Sequence, residues 1–167
     1  MRWVLLLRAV NVGTRNRLAM ADLRDLLEQL GYTEVRTVLN SGNAVFTSDR
    51  GGDLAADVER GLQEQLGVVV RACVLPDHEV RALVDSVPDL PGYVVCSVLF
   101  ERPSPAALAM FLASDVSPEV VAGDERAVFI GYVDAGRTKL TNARLERALG
   151  VSSTARTPAT LRKLLAD

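Results

Sequence analysis

The order of apolar patterns along the chain predicts an α+β protein made of two ferredoxin-like units in tandem. Three observations carry that prediction. The first half reads as strand, helix, strand, strand, helix, strand, and the second half repeats that order with a further helix at its end. Helix starts and stops are also marked, by Asp53, Ser104 and Thr157 on one side and Gly31, Gly67 and Gly150 on the other. Each β-α-β-β-α-β unit is then an antiparallel sheet with its helices on one face.

Residues 4–7 are continuously apolar rather than alternating, the pattern of a central strand buried on both faces. Met20, Leu23, Leu26, Leu27 and Leu30 follow at helical spacing, with Asp22, Arg24, Asp25, Glu28 and Gln29 off that face, and Gly31 stops the helix. Val35, Thr37 and Leu39 alternate with Arg36 and Val38 as a half-exposed strand. Ser41-Gly42 is a two-residue turn, and residues 44–47 return as the next strand. Asp53 caps a helix bearing Leu54, Val58, Leu62 and Leu66, Gly67 ends it, and residues 68–75 form a fourth strand. Pro76-Asp77 opens a linking helix with Val80, Leu83, Val84 and Val87 on one side. The boundary falls in residues 88–92, dividing the chain into units 1–87 and 92–167.

In the second unit residues 93–100 are a strand, and Ser104-Pro105 supplies an N-cap serine and an N1 proline. The helix so started carries Leu108, Phe111 and Leu112. Residues 119–121 and 127–133 flank a turn at Gly123-Asp124, and Thr141 or Asn142 caps a helix with Leu145 and Leu149 that ends at Gly150. A short strand occupies 151–154. Thr157-Pro158 then repeats the Ser-Pro start for a terminal helix with Leu161, Leu164 and Leu165.

Topology says where polar loops meet. In a split unit the third strand runs antiparallel between the first two, so residues 8–16 and 40–43 lie at one sheet edge. That edge gathers Arg8, Asn11, Gly13, Asn16, Asn40, Ser41, Gly42 and Asn43. In the second unit residues 136–142 and the end of the last strand are expected to share an edge, which gathers Lys139, Thr141, Asn142, Thr154 and Arg156 beside two helix N-termini. The expectation is a small anionic ligand, a nucleotide or phosphate compound, held in a cleft between these edges. The rival readings are structural, with the same groups locking the halves together, or a protein-interaction or nucleic-acid-binding module.

Composition narrows the rest. Of 167 residues, 49% are hydrophobic and 24% charged, which excludes wholesale disorder. A net charge of −2 supplies no global positive field for nucleic acid or a phospholipid surface. No stretch approaches the ~18–20 apolar residues of a membrane span. The apolar start stops at Arg8, too short for a signal peptide, so a cytoplasmic protein is expected. Cys73 and Cys96 have no CxxC partner and are expected as buried thiols. Walker A, GxGxxG and GxSxG patterns are absent, zinc ligands are lacking, and His78, the single histidine, is far in sequence from Ser41. No cofactor or metal and no reaction is implied. Phe46 is the one aromatic in the first sheet suited to base stacking and no RNP1 pattern occurs, so nucleic acid is not favoured. Oligomeric state is not indicated.

The segments LLRAVNVGTRNRLAM, LRDLLEQLGYTEVRTVLNSGNAVF and TKLTNARLERALGVSSTAR together resemble the domain of unknown function 1697 family over nearly the whole chain. The R-x-x-N-V-G, S-G-N and K-L-T-N elements carry the resemblance. They put motif positions at Arg8, Asn11, Gly13, Ser41, Gly42, Asn43, Lys139, Thr141, Asn142, Thr154 and Arg156. The resemblance implies the same α+β architecture and no established activity. Ala9 and Thr14 stand where it implies glycine, and Thr157-Pro158 where it implies an Asn-Trp pair, which removes an aromatic stacking surface.

Overall fold

A computed structural model describes residues 1–167. The first sheet contains β1 (Arg2–Leu7), β2 (Thr33–Val38), β3 (Asn43–Thr47) and β4 (Ala72–Pro76), in spatial order β2-β3-β1-β4 and antiparallel throughout. Helices α1 (Met20–Gln29) and α2 (Leu54–Leu66) pack Leu23, Leu26, Leu27, Leu54, Val58 and Leu62 against Leu5, Leu7, Ala44 and Phe46. Alternation turns Val4, Leu6, Val45 and Cys73 to the other face, and these are buried as well. The unbroken apolar run of β1 is explained: both its faces are covered.

The second sheet contains β5 (Tyr93–Leu99), β6 (Val120–Gly123), β7 (Ala127–Tyr132) and β8 (Ser153–Arg156), in the order β6-β7-β5-β8. Its helices α4 (Pro105–Leu112) and α5 (Asn142–Leu149) bring Phe111, Leu145 and Leu149 onto Leu99, Val128 and Ile130. Two further helices, α3 (Asp77–Asp85) and α6 (Pro158–Leu165), complete the chain. Both sheets have the ferredoxin-like order, as the sequence predicts.

The duplication extends to single hydrogen bonds. In the first unit Leu7 N donates to Gly42 O at 2.8 Å and Arg8 N to Arg71 O at 2.9 Å. In the second, Leu99 N donates to Arg126 O and Phe100 N to Ser152 O, both at 2.9 Å. Arg8 therefore occupies the position that Phe100 has in the other unit.

The compact units are Met1–Ala82 with Arg162–Asp167, and Leu83–Leu161. The late segment returns to the first unit through two arginines on one sheet face. Arg2 Nη2 donates to Leu164 O (3.1 Å) and Ala166 O (2.9 Å), and Arg36 Nη2 to Leu164 O (3.2 Å) and Ala166 O (2.7 Å). These guanidiniums satisfy carbonyls that the end of a helix leaves open.

Local differences from the sequence reading have physical causes. The fourth strand begins at Ala72 rather than at 68, because Val68 N donates to Leu62 O and the residue is used in closing α2 over the left-handed Gly67. The β2–β3 link is a four-residue turn, 39–42, with Leu39 (φ 59°) and Gly42 (φ 75°) left-handed, not a two-residue one. Predicted caps at Asp53, Ser104, Thr141 and Thr157 all accept from the backbone N–H three residues on.

Candidate functional site

The connection from β1 to α1, residues 8–19, is long and unusually wound. Ala9 (φ 57°), Asn11 (53°), Gly13 (63°) and Asn16 (51°) are all left-handed. Three of the four carry a Cβ, which costs roughly 1 kcal/mol each for ordinary residues, less for asparagine. Asn11 is the brace. Its Nδ2 donates to Leu18 O (2.8 Å), Asn40 O (2.8 Å) and Asn40 Oδ1 (3.1 Å), and its Oδ1 accepts from Leu18 N (2.9 Å). Asn11 N donates to Asn16 O at 3.0 Å and Asn16 Nδ2 to Ala9 O at 3.3 Å, which closes the loop on itself. The predicted meeting of residues 8–16 with 40–43 is thus made by direct bonds.

The second loop is equally determined. Gly42 approaches the core so closely that an added Cβ would lie 2.5 Å from Val10 Cγ2 and 2.7 Å from Leu7 Cβ. Asn43 is fully buried, and its Nδ2 donates to Val38 O (3.0 Å) and Ser41 Oγ (2.8 Å). What remains open to solvent is the tip of the first loop, residues 12–17, with Leu39, Asn40 and Ser41 beside it. Residues 8–20 hold three arginines and no acid. Arg15 and Arg17 are exposed and have no ion-pair partner, while Arg8 is half-buried at the strand end.

The second unit distributes its motif residues differently. Thr141 Oγ1 caps α5, and Asn142 Nδ2 donates to Glu146 Oε1 (2.8 Å). Asn142 Oδ1 accepts from Ser153 Oγ (2.9 Å), and Glu146 Oε2 accepts from Ser153 N (3.1 Å). Asn142 therefore stands beside the first residue of β8, not its end, three residues or ~10 Å from Arg156. Ser153 pairs with Leu99 and faces the helices; Thr154 and Arg156 pair with Val98 and Cys96 and face the opposite side. Arg156 Nη1 donates to Thr154 Oγ1 at 2.7 Å. Lys139 is exposed, with no ion-pair partner. Of the residues expected on this edge, Thr154 and Arg156 are joined to each other, and Asn142 to Glu146 and Ser153. Tyr132 Oη donates to the Leu140 carbonyl and Leu140 is buried, so the segment before α5 folds back along the sheet before the helix begins.

Some notable groups carry no sequence signal. Glu119 is buried, accepts from Val133 N at 2.7 Å through Oε2, and leaves Oε1 without a partner. Burial raises the Tyr132 phenol, and Glu119 adds to that rise. Tyr32 stacks on Phe46 at 4.3 Å between ring centroids, so Phe46 presents no face to a base. Cys73 and Cys96 are buried thiols outside any disulfide, and burial pushes the Cys96 thiol up to about 12. Cavities of about 210 Å³ at Arg2, Arg36 and Asp167, and of about 290 Å³ at Trp3 and Asp53, are lined by none of the motif residues. No helix is long and apolar enough to cross a membrane.

The family model described as "Protein of unknown function (DUF1697)" matches residues 1–129, which contain the whole braced loop and the S-G-N turn. The chain belongs to this family. Among solved structures it is similar to the conserved bacterial protein SP0830 from Streptococcus pneumoniae, at 24% identity and a TM-score of 0.77, covering 98% of this chain and 96% of that one. That likeness concerns the fold. A search of curated proteins found no match.

Proposed function

We propose that the protein binds a small anionic ligand at the braced loop of its first unit, with Arg8, Arg15 and Arg17 supplying the charge and the exposed amides of Asn16 and Asn40 the orientation. One observation carries this reading: a loop held rigid by Asn11 exposes two guanidiniums that no carboxylate neutralises. Arginine forks fit phosphate and carboxylate oxygens two at a time, and a rigid base lowers the cost of ordering them. Strained backbone concentrates where a site must be pre-formed.

A second reading is favoured for part of the motif. Asn11, Gly42, Asn43, Thr141 and Asn142 are engaged inside their own units, so they act as fold determinants rather than ligand contacts.

Thermal denaturation with inorganic phosphate, pyrophosphate, nucleoside mono- and triphosphates and citrate tests the binding reading. A binding anion raises the midpoint in proportion to ln(1 + [L]/Kd). The rise should vanish in Arg15→Ala/Arg17→Ala, whose unliganded midpoint should equal wild type. Midpoint shifts identical in the wild type and the double variant would end the proposal.

A further inference from the structure

The braced loop of the first unit presents two branched aliphatic side chains to water among its arginines. Val12 is 65% exposed and Leu39 53% exposed. A single exposed aliphatic residue is ordinary on any protein surface. These two stand out by their placement and by the backbone that carries them. Val12 and Arg15 are partners in an isolated antiparallel bridge that closes a tight turn over Gly13-Thr14. Residues paired directly across such a bridge project to the same face, with Cβ atoms ~5 Å apart. An apolar group therefore stands beside a guanidinium-bearing side chain that has no ion-pair partner. Leu39 precedes Asn40, whose carbonyl accepts from Asn11 Nδ2 at 2.8 Å. Val12 and Leu39 thus flank the bond that joins the two loops, each one residue from it. The φ of Leu39, 59°, is left-handed, a conformation that disfavours leucine and suits glycine or asparagine. Leu39 bears both backbone strain and exposure, in a pair of segments, 8–20 and 39–43, that contain no acid.

Granted the anion site proposed above, we infer that it is built for an organic phosphate whose apolar body adjoins its charged group. Arg15 takes the phosphate oxygens, while Val12 and Leu39 cover the apolar body. Removing that aliphatic pair from water supplies affinity that inorganic phosphate has no surface to gain. Water excluded from beside Arg15 also strengthens its attraction for the phosphate, because the local dielectric falls. Backbone strain at Leu39 is explained, since it holds an aliphatic group at a position that asparagine would fill more comfortably. Two aliphatic side chains suffice for one ring and fall far short of the ~800 Å² per partner of a stable protein complex. Neither segment contains a Trp or Phe, so a lipid surface finds little to anchor it.

Calorimetric titration of the full chain with methyl phosphate and phenyl phosphate at about pH 8 reads this, because both esters are then dianions differing only in the body. Phenyl phosphate should bind at least ~tenfold tighter. Leu39→Asn accepts the left-handed backbone, so its urea midpoint should be no lower than that of wild type, while the phenyl-over-methyl ratio falls at least ~threefold. Met110→Asn, at an exposed apolar residue of the second unit, should leave the ratio unchanged. Equal affinities for the two esters, both lost in Arg15→Ala/Arg17→Ala, overturn this ligand class while the anion site stands. No binding of either ester, or binding indifferent to that double variant, overturns the anion site and this inference with it. A preference for phenyl phosphate that survives Leu39→Asn, or falls equally in Met110→Asn, also overturns the inference. A Leu39→Asn midpoint well below wild type gives the leucine to packing and overturns it too.

Discussion

Between its first strand and first helix the N-terminal unit runs twelve residues, 8–19; at the same point the second unit runs five, 100–104. The frames around the two connections are alike to the hydrogen bond, with Leu7 and Arg8 matched by Leu99 and Phe100. The shorter version turns directly into a helix capped by Ser104 with proline at N1. The longer one takes four left-handed residues and an asparagine brace to reach α1, whose start has no side-chain cap. The second unit demonstrates that this fold closes with five ordinary residues. The additional ones answer to something other than closure, which is the strongest ground for looking there for function.

The turns facing these connections differ likewise. In the first unit Gly42 lies tight against the core; in the second, Asp124 Oδ1 accepts from Arg126 N at 2.8 Å in a plain Asx turn. Gly42→Ala should show the largest effect, because its Cβ meets Leu7 and Val10 at a left-handed position; a loss of about 3 kcal/mol is expected. Urea denaturation followed by fluorescence of Trp3, the single tryptophan, reports it from the first sheet. Asn11→Ala comes next, at about 2 kcal/mol, since the Leu18 N–H and two carbonyls lose their partner; amide exchange at Leu18 should accelerate in step. Asp124→Ala should cost about 1 kcal/mol, measured by far-ultraviolet dichroism in urea. A cost equal to that of Gly42→Ala would mean the two turns carry equal weight, and the contrast would fail. Smallest and opposite in sign, Ala9→Gly should stabilise by about 0.5–1 kcal/mol by relieving a left-handed alanine, seen as a higher urea midpoint.

Much of the frame was legible because its signals are local. The uninterrupted run of β1, the glycines after α1, α2 and α5 and the Ser-Pro and Thr-Pro starts each state their meaning within a few residues. The meeting of residues 8–16 with 40–43 was legible from topology alone. Tertiary choices were not. Nothing in Val68 announces that its N–H will close α2, nor in Leu140 that burial will draw the chain back and carry Asn142 to Ser153. Ala9 looks like any alanine; only the glycine implied at its position by family resemblance hints at its φ of 57°. Glu119, a surface-type residue by composition, is buried because the Val133 N–H needs an acceptor there.

The return of residues 162–167 to the first unit has a consequence for biosynthesis. A nascent chain that has emerged as far as residue 82 already owns every strand of the first sheet, yet the guanidiniums of Arg2 and Arg36 still have only water to bind. This unit is finished by residues 162–167, which are synthesised well after its own strands. Until then a chaperone meets an N-terminal half with one sheet face incompletely dressed.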